Sequence, residues 1–207
     1  MLFDLDGTLA DTVSLIVTSY NHAMSTVIGQ TRDPLEIRSW IGRPLVETFE
    51  DVDPARAAEM DRVYREWNLA NTDRLIRRYE GIAELVPALA EAGVRTGIVT
   101  SKRRATAQKA MDAVGLTGGI PLVAGLEDTA SHKPGPEPLR YAAQLLGVDP
   151  VDCVYVGDAA VDVLAARAAG MASVGVTWGA GLRDDLLAAA PDHVVDSVAE
   201  LAALLLP

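Results

Sequence analysis

From Gly81 onward, short apolar runs rich in β-branched residues alternate with helical patterns. No other feature constrains the fold as strongly. The pattern predicts strands over 95–99, 120–124, 151–156, 172–176 and 193–195. It predicts helices over 82–92, 103–114, 136–146, 159–169, 182–189 and 197–205. Gly93, Gly115, Gly147 and Gly170 follow helices where left-handed C-caps are expected. Strands joined through helices of this length build right-handed βαβ units and a parallel sheet. In such sheets ligands bind beyond the carboxyl ends of the strands, so reactive residues are expected just after them.

The first part of the chain reads differently. Met1-Leu2-Phe3 is apolar and turns abruptly acidic at Asp4. Residues 12–30 carry Leu15, Ile16, Tyr20, Ala23, Met24 and Val27 near helical spacing. Pro34 and Pro44 each suit the first turn of a short helix, and 54–79 is a long helical pattern rich in Arg and Glu. No convincing strand falls between 12 and 80. The chain therefore divides into an α/β core, 1–11 plus 81–207, and an all-helical insertion, 12–80. A length of 207 residues accommodates both.

Charge narrows the partners. A formal net charge of −11 argues against nucleic acid and anionic membranes. No apolar run reaches the ~18 residues of a membrane span, and the early acidic residues argue against a signal peptide. The single cysteine, Cys153, excludes an intramolecular disulfide and lies in a pattern that reads as a buried strand, a packing role. A soluble cytoplasmic protein without an obligate protein partner is expected. If such an acidic chain binds an anion, the site must supply its own positive field.

Four clusters stand at or after strands. Asp4 and Asp6, two residues apart on an extended segment, point the same way and can share a metal or a reacting group, with Gly7 permitting a tight reversal. Thr100-Ser101-Lys102 offers hydroxyls and free N–H groups ahead of a helix, suited to phosphate. Lys133-Pro134 presents a lysine in a stiff proline-rich loop, beside His132, which reads as structural. Gly157-Asp158 is followed one helical turn later by Asp162. Each alone has an ordinary explanation: an acidic turn, a Ser101 N-cap, an exposed loop lysine, an Asp158 cap with Asp162 on the helix dipole.

Taken together and in this order, they resemble the haloacid dehalogenase superfamily over essentially the whole chain: Asp4-x-Asp6-Gly-Thr8, Thr100 or Ser101, Lys133-Pro134, and Gly-Asp158-x-x-x-Asp162. The resemblance implies a Rossmann-like three-layer core of strand order 5-4-1-2-3, with the first motif on the central strand and 12–80 as a cap. Only three residues precede Asp4, fewer than a central parallel strand should have. Either an upstream start or an unusually short strand is expected.

The resemblance also implies a mechanism. Asp4 would be the nucleophile and form an aspartyl-phosphate, and Asp6 the general acid and base. Mg²⁺ would be held by Asp4, the Asp6 backbone carbonyl, Asp158 and Asp162, the last directly or by orienting the others. Lys133 would offset the charge at the nucleophile, and Thr100, with Ser101 as helper, would hold the phosphoryl group. The presence of Asp6 favours phosphoryl chemistry over dehalogenation. A β-phosphoglucomutase-like transfer and a non-catalytic phosphoester-binding protein are the alternatives. Tyr64-Arg65-Glu66-Trp67-Asn68, His132-Lys133-Pro134-Gly135-Pro136-Glu137-Pro138 and Gly175-Val176-Thr177-Trp178-Gly179 resemble the phosphoglycolate phosphatase and bacterial pyrophosphatase branch. The substrate expected is a small phosphorylated metabolite or inorganic pyrophosphate. Arg43 is a candidate for gripping the leaving group and Lys102 for reaching the substrate. Arg103 is a candidate for the substrate on the same footing, with both it and Lys102 read first as flanking a helix start; His22 is read as a packed or exposed helix residue, and Trp40, Trp67 and Trp178 as packing residues.

Overall fold

The computed structural model of the protein describes residues 1–206. Its strands are β1 (Leu2–Phe3), β2 (Ala10–Asp11), β3 (Arg77–Arg78), β4 (Gly97–Val99), β5 (Leu122–Ala124), β6 (Val154–Gly157), β7 (Ala172–Val176) and β8 (His193–Val195). Helices α1 (Val13–Ile28), α2 (Pro34–Arg38), α3 (Leu45–Val52) and α4 (Ala57–Leu75) lie between β2 and β3. Helices α5 (Ile82–Glu91), α6 (Arg104–Ala113), α7 (Glu137–Leu146), α8 (Ala160–Ala169), α9 (Arg183–Ala188) and α10 (Val198–Leu205) alternate with the later strands.

Six strands form one parallel sheet of order β5-β4-β1-β6-β7-β8. Five of them reproduce the expected 5-4-1-2-3 order, and β8 extends the far edge. The two residues of β1 pair on both sides, Leu2 with Gly97 and Tyr155, Phe3 with Ile98 and Val156. The strand is short, yet consecutive residues on it serve opposite faces. Phe3 joins Ile98 and Val156 beneath α5, α6 and α10, whereas Leu2 joins Val99 and Tyr155 beneath α7 and α8. Winding reverses at β1, between β4 and β6, which makes the carboxyl end of β1 the switch point where ligands bind.

Helices α1 to α4 share a cluster of buried residues that also takes in Ala180 from the loop after β7. One stripe of α1, from Leu15 to Val27, is buried, and Gly29 ends the helix at φ 68°. Tyr20 sits edge-on to Trp40 and Tyr64, with ring centroids 5.4 and 4.9 Å away, and against Phe49 at 5.2 Å. His22 is exposed and stacks on Trp67.

Three sequence expectations are corrected. Strand character is present near the end of 12–80: Arg77–Arg78 pairs antiparallel with Ala10–Asp11, closing the neck where the chain leaves and re-enters the core. Two exposed arginines carry no alternation that could have signalled it. The segment from Val151 starts as a 3₁₀ turn, because Asp149 accepts from Val151 N at 3.1 Å, so the strand begins at Val154. Cys153 lies just ahead of that strand, buried, and burial pushes its thiol up, as suits a packing residue. The segment from Ile120 becomes a strand only at Leu122, after Pro121, which has no N–H to donate. Among the described residues no helix is long and apolar enough to cross a membrane.

Candidate active site

The strand ends bring the four clusters together. Asp4 continues β1, donating its N–H to Val156 O at 2.9 Å, and so sits beside the end of β6. One carboxylate oxygen each of Asp4, Asp158 and Asp162 lie within 4.8 Å of one another, all three residues buried. Asp158 Oδ1 accepts from Thr8 Oγ1 at 3.2 Å, and Oδ2 from the Ala180 and Gly181 amides at 2.7 and 3.3 Å. Asp162 turns Oδ2 back to Ala159 N at 3.0 Å, capping its helix, and leaves Oδ1 for Lys133. Gly7 has φ 77°, and a Cβ there would stand 2.3 Å from Asp158 Oδ2, so only glycine makes this turn.

Lys133 is the hub. It is 4% exposed, and its Nζ lies 2.6 Å from Asp162 Oδ1, 3.1 Å from Tyr155 Oη and 3.2 Å from Asp4 Oδ1. Tyr155 donates its hydroxyl hydrogen to Val99 O at 2.9 Å, which leaves a lone pair for the lysine. Burial alone would lower the Lys133 pKa, but Asp162 and Asp4 hold it well above the ordinary value. Burial pushes Asp4 up to about 8, with Lys133 pulling the other way and Asp162, Asp6 and Asp158 adding to the rise. Both pKa values of this ion pair rise: at Asp4 burial outweighs the pull of Lys133, whose shorter contact goes to Asp162. Burial and Asp162 likewise push Asp158 up to about 7, against the two amides.

These carboxyls hold protons in the folded protein that they lose near 3.8 in the unfolded chain. Between about pH 4 and 8 the native state therefore binds more protons, and stability of the metal-free protein falls as pH rises through that window. Thermal melts in EDTA from pH 5 to 8 should show a falling midpoint. A flat or rising midpoint would remove the crowded-carboxylate account.

Asp6 stands apart from the triad. Lys102 Nζ grips both its oxygens at 2.7 and 2.8 Å. Lys102, one candidate for reaching the substrate, is here bonded to Asp6. Thr100 directly follows β4, buried, and its Oγ1 accepts from Lys102 N at 3.2 Å. Ser101 instead spends its hydroxyl on Gly42 O of the insert at 2.9 Å and caps no helix, α6 starting after Arg103. Above these residues a cleft opens between core and insert, lined by Asp4, Asp6, Thr100, Arg43, Arg65, Lys102 and Arg103 among others. Arg43, on the cleft wall, is exposed and paired with Asp51 at 2.7 Å. Trp40 lines the cleft as well as packing on Tyr20, and Trp178 donates to Thr8 O at 3.1 Å.

Sequence reasoning missed Tyr155, Arg65 and the 178–181 loop. Tyr155 left one signal, a hydroxyl inside an apolar strand that needs a partner. Arg65, held by both oxygens of Asp61, and the loop left only the family resemblance of the stretches 64–68 and 175–179, which assigns no role to a single residue.

The donor set can be tested for a metal on its own chemistry. Asp4 Oδ1 is buried with no hydrogen-bond partner, the Lys133 contact lying outside hydrogen-bond geometry. A buried carboxylate oxygen left so is costly unless a cation meets it. Three carboxylates converging on one point, all oxygen donors, fit a hard divalent ion.

Known proteins match this arrangement. A family model described as haloacid dehalogenase-like hydrolase matches residues 1–176. The pyrophosphatase PpaX of Bacillus velezensis is 36% identical over 201 residues, covering 97% of this chain and 93% of that protein. A predicted phosphatase from Clostridium acetobutylicum superposes with a TM-score of 0.88 at 28% identity, over 98% of this chain and 95% of that one. A predicted phosphoglycolate phosphatase from Haemophilus somnus gives 0.87 at 24% identity, over 98% and 96%, a likeness of fold. With the acid pair, hydroxyl, lysine and second acid pair gathered at one switch point and these relatives spanning nearly its whole length, the chain belongs to the haloacid dehalogenase-like hydrolase family, among its phosphatases.

Proposed function

We propose that the protein is a Mg²⁺-dependent pyrophosphatase in which Asp4 is the nucleophile, Asp6 the acid and base, and residues 12–80 a cap over the cleft. The observation that carries the chemistry is the buried Asp4 carboxylate at the cleft floor, flanked by Lys133 and two further carboxylates. Asp4, Asp158 and Asp162 would hold the ion, with the Asp6 backbone carbonyl. Bound there, Mg²⁺ offsets the negative charge shared by nucleophile and phosphoryl group.

An Asp4 oxygen attacks phosphorus, and the bond from phosphorus to the leaving oxygen breaks. Asp6 gives its proton to that oxygen, then takes one from the water that attacks the aspartyl-phosphate. The phosphorus–Asp4 bond breaks and inorganic phosphate leaves. Thr100, whose hydroxyl hydrogen is uncommitted, holds the transferring oxygens, and Ser101 assists only on leaving Gly42. Lys102 must release Asp6 before it can act, and an arriving anion supplies the competing partner.

Support for pyrophosphate is twofold. The relative at 36% identity carries a pyrophosphatase name. Arg43, Arg65, Lys102 and Arg103 line the cleft together; the first three are paired with Asp51, Asp61 and Asp6, and a leaving group which is itself a phosphate would compete with those carboxylates for them. Phosphate release should be followed over pyrophosphate, 2-phosphoglycolate and a panel of monoesters, with and without Mg²⁺. Pyrophosphate is expected to give the highest kcat/KM, by about tenfold or more, and activity should vanish in EDTA. A monoester ahead of pyrophosphate would overturn the substrate assignment. Phosphate release undiminished without metal would overturn the metal assignment.

A further inference from the structure

Arg38, at the end of α2 in the insert, reaches the core loop that follows β7. Its Nη2 donates to Gly179 O at 2.9 Å and its Nε to Ala180 O at 3.4 Å. These carbonyls belong to the same two peptide units whose N–H groups hold the candidate metal ligand. The unit beginning at Gly179 C=O ends at Ala180 N–H, which donates to Asp158 Oδ2 at 2.7 Å. The unit beginning at Ala180 C=O ends at Gly181 N–H, which donates to the same oxygen at 3.3 Å. A peptide is planar, with C=O and N–H on opposite sides. A cation fixed on the carbonyl side therefore fixes where the amide side points, and it polarises the amide as a donor.

The loop belongs to both bodies. Ala180 is 1% exposed and belongs to the same hydrophobic cluster as Ile37 and Ile41 of the insert. On its other side the loop lies flush on Asp158: a Cβ at Gly179 would stand 2.2 Å from Asp158 Oδ2. No side chain fits between, so backbone amides alone can grip that oxygen from this direction. Trp178, in the same loop, donates to Thr8 O, and Thr8 in turn donates to Asp158 Oδ1.

We propose that Arg38 is a positioning residue for the metal site, so that docking of the insert sets the Asp158 carboxylate through these two peptide units. It rests on the reading of Asp158 as a metal ligand. The relay has a sign that plain electrostatics does not share. Removing a nearby cation should, by Coulomb's law, tighten Mg²⁺ binding; removing the relay should weaken it.

Mg²⁺ is titrated calorimetrically into the substrate-free protein at one neutral pH. Arg38→Ala is expected to bind it about tenfold more weakly than wild type, the usual range for a lost outer-shell contact. Arg38→Lys, which keeps the charge but not the two-pronged geometry, is expected to fall between. Arg32→Ala, which removes a half-buried cation of the insert that pairs with Glu36 and makes no bond to the loop, should match wild type. Equal or tighter binding by Arg38→Ala would overturn the proposal. If that variant fails to fold, Arg38→Lys decides, and wild-type affinity in it is the overturning result. Asp158→Asn separates the two levels. Weak binding there with Arg38→Ala intact defeats the relay alone, whereas wild-type binding by Asp158→Asn defeats the metal reading itself.

Discussion

Asp4→Asn is expected to abolish phosphate release, by about 10⁴-fold or more, the scale seen when a nucleophile that works as part of a unit is removed. The same change should stabilise the metal-free protein. Asp4 is buried beside Asp158 and Asp162, and burial holds its pKa up to about 8. Ionising it at pH 8 in that surrounding is unfavourable, and an amide of the same shape avoids the charge. The gain should be on the order of a few kcal/mol at pH 8 in EDTA. It should shrink towards pH 5, where the wild-type carboxyl keeps its proton. Opposite signs for activity and stability distinguish a reactive group held under strain from an ordinary structural acid. Steady-state release together with melts at the two pH values reads both. Undiminished turnover would remove Asp4 as nucleophile; a loss of stability would show that the carboxylate is structural.

Lys133→Met should have the largest effect on stability. The lysine touches Asp162, Asp4 and Tyr155 at once and is almost fully buried. Methionine fills the volume but leaves the carboxylates facing one another without a neutralising charge. Removing one partner from a buried ionic cluster typically costs about 3–5 kcal/mol. For a chain of this size that lowers the melting temperature by about 10 °C. The loss should be greatest in EDTA at pH 8, and smaller at pH 5, where Asp4 and Asp158 are protonated. Mg²⁺ should restore part of it, because the ion supplies the missing positive charge, but should not restore turnover. A melting temperature in EDTA at pH 8 equal to wild type would contradict the role of Lys133 as the charge at the centre of the cluster.

Much of this was legible in the sequence because it is local or follows from chain order. Alternating strand and helix patterns give a parallel sheet, and handedness leaves few ways to wind it. The strand-end rule then marks Asp4, Thr100 and Asp158 without any knowledge of contacts. The helical insert was readable from the spacing of Leu15, Ile16, Tyr20 and Met24, residues that do line its buried stripe. Other features were settled only by tertiary structure. Ser101 and Thr100 are neighbours of equal chemistry, and the approach of Gly42 from the insert is what commits the Ser101 hydroxyl and not that of Thr100. Lys102 is drawn to Asp6, across 96 residues of chain, and not held ready for a ligand. Thr8 and Asp158 meet across 150 residues, and Arg38 reaches Gly179 across 141. Periodicity and propensity describe what a segment does with its own neighbours. Contacts at such separations depend on how whole layers pack, so the sequence by itself determined the sheet and the order of its reactive residues, while the packing of insert on core decided which of those groups are free to act.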